Sequence, residues 1–425
     1  MKEDTIDRRR FIGKASAAAV IAAFSSIKTS YAKDLVSLAN RSGVRDRYIL
    51  SREEYLLDPD ITYFNHASIG TIPKLLHRTH KAYIDLCEKN PWLYTWGEPW
   101  DKERTKTRKK LAEFVGCEPG ELALTHNTTE GFNVLANGLP LTENDEVVFS
   151  TLNHPGASEC WFHHAMAAGY SINRFEFPIR DVPDLSEDDI VSIYAEHITE
   201  KTRVLVFPHI DNLVGIRYPI EKMVQMAREN GVEFIAVDGA QALGMVPIDL
   251  QDLGVDFYAM SPHKWLQAPK GTGLLYIRKA IRDQLEPLWV TWGQNRWKGT
   301  VRIFEDYGTR NLASVLALGD AVDFQIKFDV NNSVERRKEL RAYFFQALEN
   351  DPNIEWRSPR SWELGSSLYT IEVKGQDSQE LFKKLYEQHG YVFRAFKADN
   401  WNTLRVSLNT FNTLKEIDTL VELLS

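Results

Sequence analysis

Cysteine is scarce in this 425-residue chain: Cys87, Cys117 and Cys160 stand far apart, with no CxxC pair. Neither a zinc site nor a redox dithiol is signalled, and free, buried thiols are the plain reading. The body also has no basic cluster. With 51 Lys and Arg against 59 Asp and Glu, a formal net charge of −8, it lacks the phosphate-neutralising stripe that nucleic-acid binding requires. No apolar run beyond the N-terminus is long enough for a membrane helix. There is no internal repeat and no low-complexity linker, which excludes solenoids and arrays. What is present is 43% hydrophobic residues, enough for a sizeable core and a second, smaller domain. The expected partner is a small molecule.

The first 32 residues read as an export leader outside the fold. "DRRRFIGKASAAAVIAAFSSIKTSYA" sets a basic region before an apolar run, Ala15 to Phe24, too short to span a bilayer, and then small residues up to Ala32. Arg8-Arg9, with Arg10, Phe11, Ile12 and Lys14 behind them, resembles a twin-arginine signal. Cleavage after Ala32 removes six basic and three acidic residues and leaves a net charge of −11. The mature protein is then expected to be soluble, exported or periplasmic, with no membrane association.

Short apolar runs recur through the body: "ELALT", "EVVFST", "TRVLVFPHI", "VEFIAVD", "DFYAMS" and "GLLYIR". Segments of helical period separate them. Continuous apolar strands are what a sheet covered on both faces needs, so the pattern predicts an α/β fold with a mostly parallel sheet. Beyond about residue 320 long charged helices alternate with a few strands, which suits a smaller α+β domain. The expected division is a leader (1–32), an N-terminal segment joining the small domain (33–65), a large domain (66–320) and a small C-terminal domain (321–425).

Open α/β sheets bind ligands beyond the carboxyl ends of their strands, and the residues there are unusually polar. Asp238 closes one strand, where a buried carboxylate needs a cation or a strong donor. Lys264 and a protonated ligand nitrogen are the two candidates. Thr128 and Thr129 stand where a helix begins, and hydroxyls with free backbone N–H groups there make a cradle for a phosphate. Ser261 and His263 add donors, and His154 offers a flat ring. Singly, each has a plainer reading as cap, loop or rim residue. A phosphate cradle, a carboxylate for a ring nitrogen, a stacking ring and one lysine together describe a pocket for pyridoxal 5'-phosphate.

"AVDGAQALG" followed about twenty residues later by "SPHKWLQAPKGTGLLY" resembles the cofactor signature of class V aminotransferases. The likeness extends from "YFNHASIGTIPK" to "LRVSLNTFNTLKEID" and points to the isopenicillin N epimerase-like branch. It implies a fold-type-I large domain with a seven-stranded-type sheet. It also implies that Lys264 carries the cofactor as a Schiff base and moves protons at Cα, while Asp238 keeps the pyridine nitrogen protonated. By the same resemblance Gln241 bonds the ring hydroxyl with Asn212 close by, His154 stacks on the ring, and Thr129, Ser261 and His263 hold the phosphate. Thr309, in "YGTRN", would reach the phosphate of a neighbouring subunit, implying a homodimer with shared sites. Arg405 would grip a substrate carboxylate, with Asn65 and His66 also on the substrate side.

Cysteine desulfurases of this family place a nucleophilic cysteine in the loop that reads "RAFKADNWNTLR" here, and this loop has none. The leading expectation is therefore an exported enzyme that transaminates or epimerises an amino acid or peptide-like amine, a siderophore side chain being one substrate class the branch suggests. A carbon–sulfur or carbon–selenium lyase is the alternative enzyme. A non-catalytic binding protein on the same fold is the alternative of another class.

Overall fold

Apolar side chains in the central strands alternate strictly between two cores. Leu205, Phe207, Ile235, Val237, Tyr258 and Met260 enter one cluster. Their neighbours Val204, Val206, Phe234, Ala236, Phe257 and Ala259 enter the other. A period of two with both sets apolar means a sheet buried on both faces. The computed structural model describes residues 3–44, 47–48, 50–96, 98–328, 330–398 and 401–424.

Seven strands form this sheet: β1 (Leu122–Thr125), β2 (Glu146–Ser150), β3 (Ser171–Phe175), β4 (Thr202–Pro208), β5 (Phe234–Asp238), β6 (Phe257–Met260) and β7 (Gly273–Ile277). Their order is β1-β7-β6-β5-β4-β2-β3. The five strands from β6 to β3 are parallel, and β7 runs against both of its neighbours. Consequently β1 points the same way as the parallel set, and the carboxyl ends of β1, β2, β4, β5 and β6 share one edge. A second sheet of β8 (Ile354–Trp356), β9 (Leu368–Val373), β10 (Arg394–Ala398) and β11 (Trp401–Ser407) is fully antiparallel, in the order β8-β9-β11-β10. Phe64 lies in its core, and residues 62–63 pair with 391–392, so the chain before the large sheet is tied to the small one. The architecture is that expected from the sequence: α/β, with a large, mostly parallel sheet and a smaller antiparallel module.

The helices used below are α1 (Glu3–Ser42), α2 (Lys74–Lys89), α3 (Glu98–Phe114), α4 (Thr128–Gly138), α5 (Pro155–Ala168) and α6 (Leu312–Lys327). The N-terminus departs from expectation. α1 runs without a break past Ala32, and Phe24, Tyr31, Leu35 and Leu38 form a buried stripe at helical spacing. Phe24 lies 4.9 Å from the Trp100 ring, Tyr31 donates to the Asp320 carbonyl at 2.7 Å, and Lys28 pairs with Glu103 at 3.1 Å. Residues 21–32 thus belong to the packed body, because this stripe finds an apolar groove on α2, α3 and α6. The side chains of residues 1–20, which include the twin-arginine motif, lie outside the described residues.

A buried ion pair fastens β1 to the segment before α6. Arg108 grips Glu305 with two bonds, 2.8 and 2.6 Å, while Glu305 also accepts from the Leu124 N–H at 2.7 Å. Burial pushes the Glu305 pKa up, but Arg108, Arg310 and the Leu124 N–H together outweigh it and hold the group below its ordinary value. Breaking such a pair strands a charge in the core. Arg108→Met is expected to lower unfolding free energy by about 3–5 kcal/mol near neutral pH in urea titrations. Because the Glu305 pKa is depressed in the fold, this contribution is full above roughly pH 4.3 and fades as pH falls through the lower folded value. A loss under about 1 kcal/mol at pH 7 would show that the pair does not hold these segments.

Candidate active site

Asp238 is aimed by the end of β5. Its carbonyl accepts from the His209 N–H and its Oδ1 from the Ala240 N–H, each at 2.9 Å. The side chain is buried. Between them, Gly239 lies so close to Tyr258 that a Cβ would stand 1.9 Å from the ring, so only glycine passes here.

Lys264 sits in a tight turn after β6. Its N–H donates to the Ser261 carbonyl at 3.1 Å, and its own carbonyl accepts from the Gln267 N–H at 3.2 Å. Gln267 closes the turn at φ 62°, the one non-glycine residue with positive φ among the described residues. Such backbone strain is typical of segments that the surrounding structure over-determines. Gly70, from the "HASIG" stretch, presses on the same turn: a Cβ there would lie 2.0 Å from the Lys264 carbonyl oxygen. Burial pulls the Lys264 amine down to about 8; Asp238 opposes the shift and Arg405 adds to it.

Opposite stands Arg405 on β11, 2% exposed. It donates to the Asn212 carbonyl at 2.6 Å, to Asn65 Oδ1 at 3.1 Å and to Ser68 Oγ at 2.6 Å, and its Nε has no partner. Burial draws its pKa down to about 9, with Arg394 adding to the effect. His154 caps α5, its Nδ1 accepting from the Gly156 N–H at 3.0 Å, which places the neutral ring's proton on Nε2. The residue is exposed, yet enough protein surrounds the ring for burial to lower its pKa, with Asp238 opposing and Lys264 and Arg405 reinforcing. Asp238 and Arg405 thus act on both the His154 ring and the Lys264 amine.

The phosphate cradle is assembled as well. Thr128 joins Ser261 through its N–H at 3.2 Å and its hydroxyl at 2.8 Å, bringing the ends of β1 and β6 together. Thr129 is exposed beside Gly156, where a Cβ would come within 2.4 Å of its hydroxyl. His263 keeps a buried Nδ1 without a partner, and burial, followed by Lys264 and Lys270, draws its pKa down to about 4. Asn153, which the sequence reading passed over although it adjoins His154, has a buried amide with neither atom bonded. Buried polar atoms are seldom left so. The orphaned His263 and Asn153 atoms, a cradle of hydroxyls and a lysine beside a carboxylate fit pyridoxal phosphate.

Two expected residues, His66 and Gln241, are already bonded within the protein. His66 is fully buried, and its Nδ1 has no partner. Its Nε2 lies 3.2 Å from the Lys264 carbonyl oxygen and 3.1 Å from Asn409 Nδ2, and its ring packs on Trp265. Burial takes its pKa down to about 3, so the ring is neutral packing beneath the lysine turn. Gln241 donates to the Ala67 carbonyl at 2.9 Å and accepts from Trp265 Nε1 at 2.8 Å, which ties it into the protein. Thr309, expected to serve a neighbouring subunit, lines a separate cavity with Trp100 and Trp292. Ser68, unnoticed in the sequence, is signalled only by lying three residues beyond Asn65.

A seven-stranded, mostly parallel sheet with a lysine and an aspartate at its carboxyl edge, beside a small antiparallel module, is the fold-type-I architecture of pyridoxal-phosphate enzymes. The chain belongs to the aminotransferase class-V family, whose model matches residues 61–420. It is 29% identical over 399 residues to an isopenicillin N epimerase of Amycolatopsis lactamdurans, covering 88% of this chain and 97% of that one. To a cysteine desulfurase of Escherichia coli O8 (strain IAI1) it is 26% identical over 362 residues, 77% and 83% of the two chains. Among solved structures, a C-DES mutant with glycine covalently linked to the PLP cofactor superposes with a TM-score of 0.79 at 21% identity, covering 88% and 99%. The cysteine desulfurase CsdA of Escherichia coli gives 0.74 at 23%, covering 88% and 96%.

The Lys264 pKa has a consequence for the unliganded protein. Below about pH 8 the ammonium is charged in both folded and unfolded chains and its burial is a full penalty; between about 8 and 10.4 the folded chain releases the proton first and the penalty fades. Lys264→Met should therefore be more stable than the parent by roughly 3 kcal/mol at pH 7, with the difference shrinking towards pH 10. Equal gaps at both pH values in urea denaturation would refute the buried-ammonium assignment.

Proposed function

We propose that this protein is an exported, homodimeric pyridoxal-phosphate enzyme that works at the Cα of an amino acid or peptide-like amine, by transamination or epimerisation. The observation that carries the reading is the buried Lys264 amine at the carboxyl edge of the sheet, within the influence of the Asp238 and Arg405 charges and with its pKa drawn down to about 8, near the value a proton-transfer group needs at neutral pH. The bound cofactor supplies an electron sink for the pair left on Cα. Lys264 would hold it, and its amine would take and return the Cα proton of a substrate. Asp238 would keep the ring nitrogen protonated, and the His154 ring would cover one face. Thr128, Thr129, Ser261 and His263 would receive the phosphate oxygens, with Thr309 supplied by a second copy. Arg405 is already held by Asn212, Asn65 and Ser68, so it meets a substrate carboxylate with little ordering left to do.

The cysteine desulfurase relatives support a second reading, cleavage of a carbon–sulfur bond. Against the persulfide route stand the thiols themselves. Burial pushes Cys87 up to about 11 and Cys117 and Cys160 up to about 12, so none is poised as a nucleophile. A lyase that releases sulfide directly needs no such thiol.

Visible spectra of the cofactor-loaded protein, read against free amino acids and N-acylated glutamyl peptides, test these readings. Bleaching to the pyridoxamine form is the outcome for transamination; α-proton exchange in heavy water with an unchanged band indicates epimerisation; sulfide release from cysteine or cystine indicates the lyase. Arg405→Leu should raise KM for carboxylated substrates roughly 100-fold and leave the cofactor band in place. A protein that never takes up the cofactor colour, or a Lys264→Ala variant as active as the parent, would refute the enzyme assignment. Export predicts a mature N-terminus at Lys33 in the periplasmic fraction; an intact leader confined to the cytoplasm would overturn it.

A further inference from the structure

Two arginines share one face of the small sheet. Arg394 on β10 stands directly opposite Arg405 on β11 in the antiparallel register, and directly opposed residues project to the same side. Leu404 and Val406, which alternate with Arg405, turn the other way into the core of the small module. Both guanidinium groups lie over the Phe396 ring, 5.6 Å from its centroid for Arg394 and 5.5 Å for Arg405. Like charges set opposite each other are destabilising unless something answers them. After burial, Arg394 is the strongest influence on the Arg405 pKa, which it lowers.

Among the described residues no carboxylate pairs with either arginine, and the Arg394 guanidinium makes no hydrogen bond. Arg405 spends its bonds on Asn212, Asn65 and Ser68 and keeps a buried Nε without a partner. Asp211 opposes Arg394 in its effect on Arg405, but its oxygens are already taken by the N–H groups of Leu213, Val214 and Ile216, at 2.8, 2.7 and 2.6 Å. Thr403, two residues before Arg405 and so on the same face, adds a buried hydroxyl with no partner. Arg405 acts on the Lys264 amine and is 2% exposed, whereas Arg394 is open to solvent. The positive row therefore runs outward from the lysine. One carboxylate satisfies Arg405; a second guanidinium, steadied over an aromatic ring, is left for another.

We propose that Arg394 receives a second carboxylate of the substrate, so that the amine brought to Lys264 belongs to an acidic amino acid, one carboxylate on Arg405 and the other on Arg394. The inference rests on the reading of Lys264 and Arg405 as the substrate site and narrows the substrate class within it.

Calorimetric titration of the full-length, cofactor-loaded protein at fixed ionic strength tests it, with glutarate and succinate as probes and the matched monocarboxylates valerate and butyrate as controls. Each dicarboxylate is expected to bind about 10-fold more tightly than its control. Arg394→Gln should bring that ratio close to one, and Arg394→Lys should keep part of it, since a charge remains without the fork. Arg394 is exposed, so neither change empties the core. Equal affinity for the two kinds of acid in the parent, or a ratio that survives Arg394→Gln, would overturn the inference while leaving Arg405 its role. Arg405→Leu without effect on any of the four acids, or no binding by any of them, would instead strike the carboxylate site on which the inference rests.

Discussion

A lysine amine kept out of water at the carboxyl edge of a parallel sheet is the constraint on which the rest of the site depends. A buried ammonium is tolerated only where its neighbours compensate it or let it give up its proton. Here both devices operate, since Asp238 favours the charged form while burial and Arg405 favour the neutral one. Holding that balance fixes the backbone tightly. The turn at Gln267, the missing side chain at Gly70 and the buried ring of His66 all bear on the Lys264 peptide rather than on its amine. The chain spends its unusual geometry on where the lysine stands, while burial, Asp238 and Arg405 decide how readily it ionises.

The two sheets divide the labour. The large sheet delivers the carboxylate, the lysine and the hydroxyl cradle from strand ends fixed by pairing in register, such as Asp238 opposite Ala259. The small sheet contributes Arg405, which is reached only after a long excursion of the chain. Its bonds to Asn212, Asn65 and Ser68 cross between modules. The arginine therefore serves as a tie between the two halves as well as a charge in the pocket.

Much of this was legible in the sequence, and the limits are physical. Strands β1, β2, β4, β5, β6 and β7 announce themselves as apolar runs because both of their faces are buried. β3, "SINRF", does not: it is the edge strand, mostly open to solvent, so nothing selects continuous apolar residues there. Lys264, Asp238, Thr128 and Ser261 were readable because each follows a strand that was. The depth of His66 was not legible, because a histidine in a polar stretch reads the same whether its ring is open to a pocket or packed under a turn. Asn153 and Ser68 were overlooked because a single amide or hydroxyl has no periodicity to betray it. The stripe of Phe24, Tyr31, Leu35 and Leu38 was hidden by the small residues between its members.

That stripe changes what the leader means. Residues 21–32 read as a disposable address in the sequence, yet in the fold they are a buttress: an aromatic ring on Trp100, a phenol on the Asp320 carbonyl and a lysine on Glu103. A protein that crossed a membrane already folded would travel with this buttress seated, and losing it would hand an apolar groove on α2, α3 and α6 to water. Whether or not the chain is ever shortened there, the segment that reads as a leader is one of the surfaces the body is built against, and the fold treats it as structure.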